Sequence, residues 1–258
     1  MATIDTDIDQ GIATLTINQP QARNAMTPAM LDSLLEATQR CADDKAVRCV
    51  LVTGYGEQAF CGGGDISGLA DSGNGNDNAL GQDELVAMLE RWSQSVLLLH
   101  TMPKPTIAVL NGVAAGAGMG LALSCDLRLG CANSSFITAF AKLGMPGDFG
   151  GSYFLTQLLG PAKAREYYFL SERIGAEQAL ALGLINRMFT TETLTLEANA
   201  LAQKLAQAPK PMYKAMKANL NAALTQSPVK VLKQEAQAMI ECALSEETRQ
   251  ATAEFFKK

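Results

Sequence analysis

Two glycine clusters, each placed directly after a β-rich run, most constrain what this chain can fold into. Phe60-Cys61-Gly62-Gly63-Gly64-Asp65 follows the run Val47 to Thr53, and Gly116-Ala117-Gly118-Met119-Gly120 follows Thr106 to Leu110. Residues with little or no side chain let a ligand or another backbone approach the main chain. Successive N–H groups entering a helix also form a fixed site for an anion or a developing oxyanion. Each cluster taken singly fits a tight turn with close helix packing equally well. The second cluster is spaced G-x-G-x-G, with Leu121 where a dinucleotide fingerprint has its third glycine, and the region of Phe136 to Ala141 lacks the acid expected about twenty residues on. A P-loop motif is absent as well.

Around the clusters the chain alternates strand and helix signals. Gly11 to Asn18 and Val47 to Thr53 read as strands. Between them Thr27-Pro28 is a cap and first-turn signal for a helix carrying Leu31, Leu34, Leu35, Thr38 and Cys41 on one face. Asp71 to Asp83 is rich in turn-forming residues and is expected to be a mobile loop. The helix Glu84 to Met102 then presents Leu85, Met88, Leu89, Trp92, Val96 and Leu99, and prolines 103 and 105 stop it. Short β runs at Asp126 to Leu129 and Ser135 to Thr138 complete a layered α/β core, placed at residues 1–190. From about Thr191 the composition shifts to Ala, Leu, Lys, Gln and Glu in helical periods, so residues 191–258 are read as a helical appendage.

Composition removes several classes of function. The 258 residues carry a net charge of -5, so no overall basic field draws in nucleic acid or anionic lipid. The acidic start, MATIDTDIDQ, is unlike a secretory signal, and no apolar run reaches the roughly 18 residues of a membrane span; a cytoplasmic protein is expected. The six cysteines lack C-x-x-C pairing and sit mostly in apolar runs, as reduced buried thiols do, and no metal site is expected. His100 is the single histidine, so any Ser-His-Asp or Cys-His mechanism would have to run through it. Its place at a helix end reads as a helix-terminal cation or a packing group.

One acid stands in a setting suited to proton transfer. Asp148, in Gly144-Met145-Pro146-Gly147-Asp148-Phe149-Gly150-Gly151-Ser152, is flanked by glycines and apolar side chains that raise a carboxyl toward the range useful for proton shuttling. The competing reading is an ordinary turn aspartate or helix cap. Asp65 and Asp126 read as loop braces. Tyr153, Tyr167 and Tyr168 either line an acyl pocket or pack in the core.

In combination and order these motifs resemble the crotonase (enoyl-CoA hydratase/isomerase) superfamily. The carrying residues are Gln21-Ala22-Arg23-Asn24-Ala25, Ala59 to Ile66, Asn111 to Gly118, Cys125-Asp126-Leu127, Pro146 to Gly151, Gly175 to Ala179 and Gly183 to Asn186. The resemblance implies an α/β spiral of ββα turns with a C-terminal helical segment that forms trimers, which pair into hexamers. It implies an acyl-CoA substrate, with coenzyme A present only as part of the thioester and no permanent cofactor. Matching positions puts the two oxyanion donors at Gly62 and Ala117. Arg23, Ala25, Gly63, Gly64, Asp65 and Ile66 then lie beside the CoA, and Phe255 and Lys258 meet it from the C-terminal helices of the same or a neighbouring subunit. The two glutamates used by the hydratases of that family fall here on Gly120 and Phe140. Asp148 stands where single-acid isomerases carry their acid, with Gly147 inserted between Pro146 and the acid relative to P-D-x-G-G. The expected activity is therefore an isomerase. Hydration, hydrolysis or C–C cleavage with Asp148 activating water is the alternative enzyme reading, and a non-catalytic acyl-CoA-binding protein is the alternative outside enzymes.

Overall fold

The computed structural model describes residues 2–65 and 80–256. Ile66, Lys258 and most of the turn-rich stretch 71–83 lie outside the described residues. Among the described residues ten strands form two sheets. The larger runs in the order β1 (Thr3–Asp9), β2 (Ile12–Asn18), β3 (Cys49–Gly54), β5 (Thr106–Leu110), β7 (Leu127–Gly130) and β10 (Arg187–Met188), and is parallel except for the β1–β2 hairpin. The smaller contains β4 (Ala59–Cys61), β6 (Val113–Ala115), β8 (Ser135–Ile137) and β9 (Ile174–Gly175), antiparallel only at β8–β9.

Each glycine cluster lies where the chain leaves the smaller sheet. The sequence reading missed β1, β4 and β6. The first carries acids and threonines on an exposed edge, and the other two are only three residues long.

The central strands are covered on both faces, which is why they read as unbroken apolar runs. Ala13, Leu15, Ile17, Val50, Val52, Ala108 and Leu110 point into the main core. There they meet α1 (Pro28–Asp43), α2 (Gln82–Thr101) and α3 (Ala117–Ser124). Ile12, Cys49, Leu51, Ile107, Val109 and Leu129 face the other way, onto Leu194, Ala198 and Ala202 of α6 (Leu194–Ala206). The first helix of the 191–258 segment is thus built into the core. The helix α4 (Gly151–Leu170), interrupted at Gly160-Pro161, and the short α5 (Ala176–Ala181) close the main core. At the start of α1, Thr27 Oγ1 accepts the Met30 N–H with Pro28 in the first turn, as the sequence predicts. All six cysteines are free, and all but Cys242 are buried. Among the described residues no helix is long and apolar enough to cross a membrane.

The remaining helices are α7 (Lys210–Ala223), α8 (Pro228–Leu244) and α9 (Glu246–Phe255). An ion pair whose cation is buried pins α7 to the core. Lys217, 8% exposed, donates to Asp126 Oδ2 at 2.8 Å and to the carbonyls of Leu99 and Lys104 at 2.7 and 3.3 Å. Asp126 Oδ2 also accepts the N–H and hydroxyl of Thr106, so the carboxylate braces β5 as the sequence suggests. Lys217 is the buried member: without it the Leu99 and Lys104 carbonyls lose an interior donor, while Asp126 stays within reach of water. Lys217→Ala is therefore expected to lower the unfolding free energy by about 2 kcal/mol, measured by urea denaturation. A loss well under 1 kcal/mol, the range of an exposed pair, would show that the contact pins nothing.

Candidate functional site

The two glycine clusters and the Asp148 turn meet around one cavity of about 370 Å³, walled by Gly62 to Gly64, Gly116, Ala117, Leu89, Phe140, Leu143 and residues 145–148. Glycine makes this convergence sterically feasible. A Cβ on Gly118 would stand 2.5 Å from the Cys61 carbonyl oxygen, and one on Gly120 only 2.2 Å from that of Phe149. Gly116 enters α3 at φ 51°, ψ −122°, a conformation closed to other residues.

The hydrogen bonds of the first cluster correct one expected donor. The Gly62 N–H is engaged by the Arg23 carbonyl at 2.9 Å and cannot serve an oxyanion, while the Gly63 N–H meets Cys61 Sγ at 3.4 Å. Gly64 bridges Met26 through its neighbours, Met26 N–H to Gly63 O and Asp65 N–H to Met26 O, each at 2.8 Å. Its own N–H stays uncommitted among the described residues. The first donor this geometry offers is thus Gly64 and not Gly62. Across the cavity, hydrogen bonding onto the Gly116 carbonyl begins at Met119, and the Ala117 N–H at the opening of α3 is uncommitted among the described residues. A Cβ on Gly63 would lie 3.9 Å from the Ala117 nitrogen, which shows how closely the clusters approach.

Asp148 faces the same cavity. Burial pushes its carboxyl up from the ordinary value, against a smaller opposing effect of its own backbone, and Oδ1 is buried without a hydrogen-bond partner. The hydratase glutamate positions are occupied differently. Phe149 main chain fills the space beside Gly120, and Phe140 is a buried ring stacked on Tyr168 at 6.3 Å.

The other expected site residues divide. Arg23, in left-handed conformation at φ 53°, and Ala25 abut the first cluster, since a Cβ on Gly62 would lie 3.0 Å from the Arg23 carbonyl oxygen and 3.7 Å from the Ala25 nitrogen. Asp65 ends that cluster. Phe255 is 75% exposed near the end of α9 and is not part of the cavity wall in one chain.

His100 is a packing group, edge-on to Phe154 and Tyr153. The expected helix-end cation is corrected, because burial and the nearby Lys217 charge lower its proton affinity. Tyr167 is buried and accepts a hydrogen bond from Gln178, and Tyr153 packs outside the cavity wall.

Residues 7–258 match the sequence profile of the enoyl-CoA hydratase/isomerase family. The chain belongs to that family. It is 36% identical over 203 residues to the 1,2-epoxyphenylacetyl-CoA isomerase of Escherichia coli (strain K12), covering 78% of this chain and 75% of that protein. It is 30% identical over 256 residues to a probable enoyl-CoA hydratase of Rhodobacter capsulatus, covering 99% and 95%. Among solved structures, an enoyl-CoA hydratase from Polaromonas sp. JS666 superposes with a TM-score of 0.91 at 27% identity, over 99% of this chain and 97% of that one. A putative enoyl-CoA hydratase from Streptomyces coelicolor A3(2) gives 0.91 at 28%, over 98% and 91%. The crotonase fold inferred from the motifs is therefore the fold of this chain, and a spiral core with C-terminal helices is what the family membership entails.

A buried acid that binds its proton more tightly in the native state than in the unfolded chain weakens folding as pH rises between its unfolded and folded values. Asp148→Asn, which cannot ionise, should match the wild type near about pH 3 and melt at a higher temperature near about pH 8. Thermal unfolding across this range checks it, and melting curves that stay parallel would contradict a strained Asp148 carboxylate.

Proposed function

We propose that this family member is an enoyl-CoA isomerase in which Asp148 alone moves the proton. The observation that carries this reading is one partly desolvated carboxyl on a cavity with two N–H groups uncommitted among the described residues, where both hydratase glutamates are replaced and Phe149 main chain leaves no room for a side chain at 120.

In this reading the thioester carbonyl oxygen sits between the N–H groups of Gly64 and Ala117. Asp148 removes a proton from the carbon next to that carbonyl, and the C–H electrons pass into a dienolate whose charge collects on the oxygen. The two amides are placed for that charge, which forms only during reaction. The protonated Asp148 then returns the same proton two carbons further along, so that a 3-enoyl thioester becomes a 2-enoyl thioester with Asp148 restored. Leu89, Phe140, Leu143 and Met145 give the acyl group an apolar wall. The similarity to an isomerase named for an epoxyphenylacetyl thioester favours a ring-derived acyl group. CoA lies along Arg23, Ala25 and the first cluster.

Incubation with 3-enoyl-CoA and, separately, 2-enoyl-CoA tests the reaction. The first should be converted to the conjugated product, with Asp148→Asn and Ala117→Pro each reducing the rate by at least about 100-fold. The proline deletes a single N–H at a helix position that accepts it. A 3-hydroxyacyl product from 2-enoyl-CoA would replace isomerisation with hydration. Thioester binding without turnover, unchanged in Asp148→Asn, would make the protein a binding module.

The reading includes a homotrimer or a dimer of trimers that places Phe255 of one chain near the CoA of the next. It is supported by the apolar side chains that α7 and α8 expose in a single chain, such as Leu220, Leu232 and Ile240, at 70%, 64% and 60% exposure. Light scattering should give three or six times the chain mass, and a monomer would remove this part.

A further inference from the structure

The Asp148 turn holds a second polar group that the reaction as described leaves unused. Four buried side-chain polar atoms among the described residues lack a hydrogen-bond partner, and two of them adjoin this one turn: Asp148 Oδ1 and the Tyr168 hydroxyl. Tyr168 comes from the second half of α4, with its ring nearly parallel to Phe140, at 15°.

The ring spans the turn from end to end. A Cβ on Gly147 would be 3.0 Å from Tyr168 Cε1, and one on Gly151 would be 2.5 Å from the Tyr168 oxygen. Gly151 N–H bonds in turn to the Asp148 carbonyl at 3.1 Å. Tyr168 is not part of the cavity wall.

Unpaired buried polar atoms are costly and rare, and two on the same turn call for one explanation. We infer that Tyr168 is a positioning residue whose hydroxyl donates to Asp148 Oδ1 when Asp148 is a carboxylate, leaving Oδ2 to face the thioester. The inference rests on the reading of Asp148 as the proton carrier.

Burial and the Asp148 charge push Tyr168 up to about 12, so the phenol remains a donor at every working pH. A donor that pairs with the charged form favours that form. It counteracts the burial that favours the neutral acid, keeping Asp148 available as a base.

Among the described residues, other groups packed around the turn do not compete for this role. Met119 and Gly120 of α3, Phe140 and Leu89 carry no titrating group, and Lys142 is exposed. Asp65 closes the first glycine cluster across the cavity. The Cys61 thiol behind Gly118 is pushed up to about 12 by burial and stays neutral.

Tyr168→Phe keeps the ring and removes only the hydroxyl. Titration of the protein carrying carboxyl-¹³C aspartate, with the Asp148 signal assigned through Asp148→Asn, reads the effect without any substrate. In Tyr168→Phe the Asp148 midpoint is expected to rise by about one pH unit. With 3-enoyl-CoA, kcat should fall on the acid side of its pH profile, by up to about tenfold where Asp148 is mostly protonated, while KM stays unchanged. The acid limb of kcat/KM should move up by the same interval. Replacing tyrosine with 3-fluorotyrosine, a stronger donor, should shift the midpoint the opposite way and covers the case in which the phenylalanine variant folds poorly. An Asp148 midpoint unmoved by both changes would reduce Tyr168 to packing. A moved midpoint in a protein that turns over no enoyl thioester would retain the pairing and discard the isomerase reading.

Discussion

Gly118 and Gly120 let α3 lie directly against two other stretches of main chain, Cys61 on one side and Phe149 on the other. Any side chain would force these backbones apart, since the atoms it would meet are 2.5 and 2.2 Å from its Cβ. All eight residues of this short helix are buried, so it has no solvent face and no amphipathic stripe. Its sequence answers to contact on every side. The same helix opens with the Ala117 amide, touches the loop that carries the Gly64 amide, and supports the turn that carries Asp148. The distance between donors and acid is therefore set by backbone packing, which tolerates little slack.

That arrangement explains how departures from the hydratase pattern fit one another. Phe149, at φ 48°, brings its carbonyl into the space beside Gly120, and Phe140 presents its ring to the cavity and stacks on Tyr168. A glutamate at 120 would displace the turn bearing Asp148. The absence of the first hydratase acid and the placement of Asp148 are in this sense one structural choice.

Much of this was legible in the residues. The apolar strands, the Thr27-Pro28 helix start, the buried thiols and the importance of both glycine clusters follow from side-chain chemistry and period. The Gly64 amide was not, because which N–H of the cluster is left uncommitted among the described residues depends on pairing with Arg23 and Met26, more than thirty positions earlier in the chain. Nor was the place of α6, since a helix that covers a second sheet face has the same composition as one that stands apart. Tyr168 gave only the ambiguous signal of an aromatic in a helical stretch. Its relation to Asp148 arises from close approaches at Gly147 and Gly151, which no period encodes.

The two aspartates that adjoin glycine-rich segments show how surroundings separate support from chemistry. Asp126 Oδ2 receives three donors, one of them the Lys217 ammonium, and is held in a single arrangement that ties α7 to β5. A group gripped in this way braces the structure. Among the described residues Asp148 has neither a cation beside it nor any partner for its buried oxygen. A proton carrier must gain and release hydrogen within one turnover, and a paired ammonium would hold it as the anion and oppose protonation. A neutral phenol is a weaker donor. It can orient the carboxylate and offset part of the cost of burial without locking the charge in place.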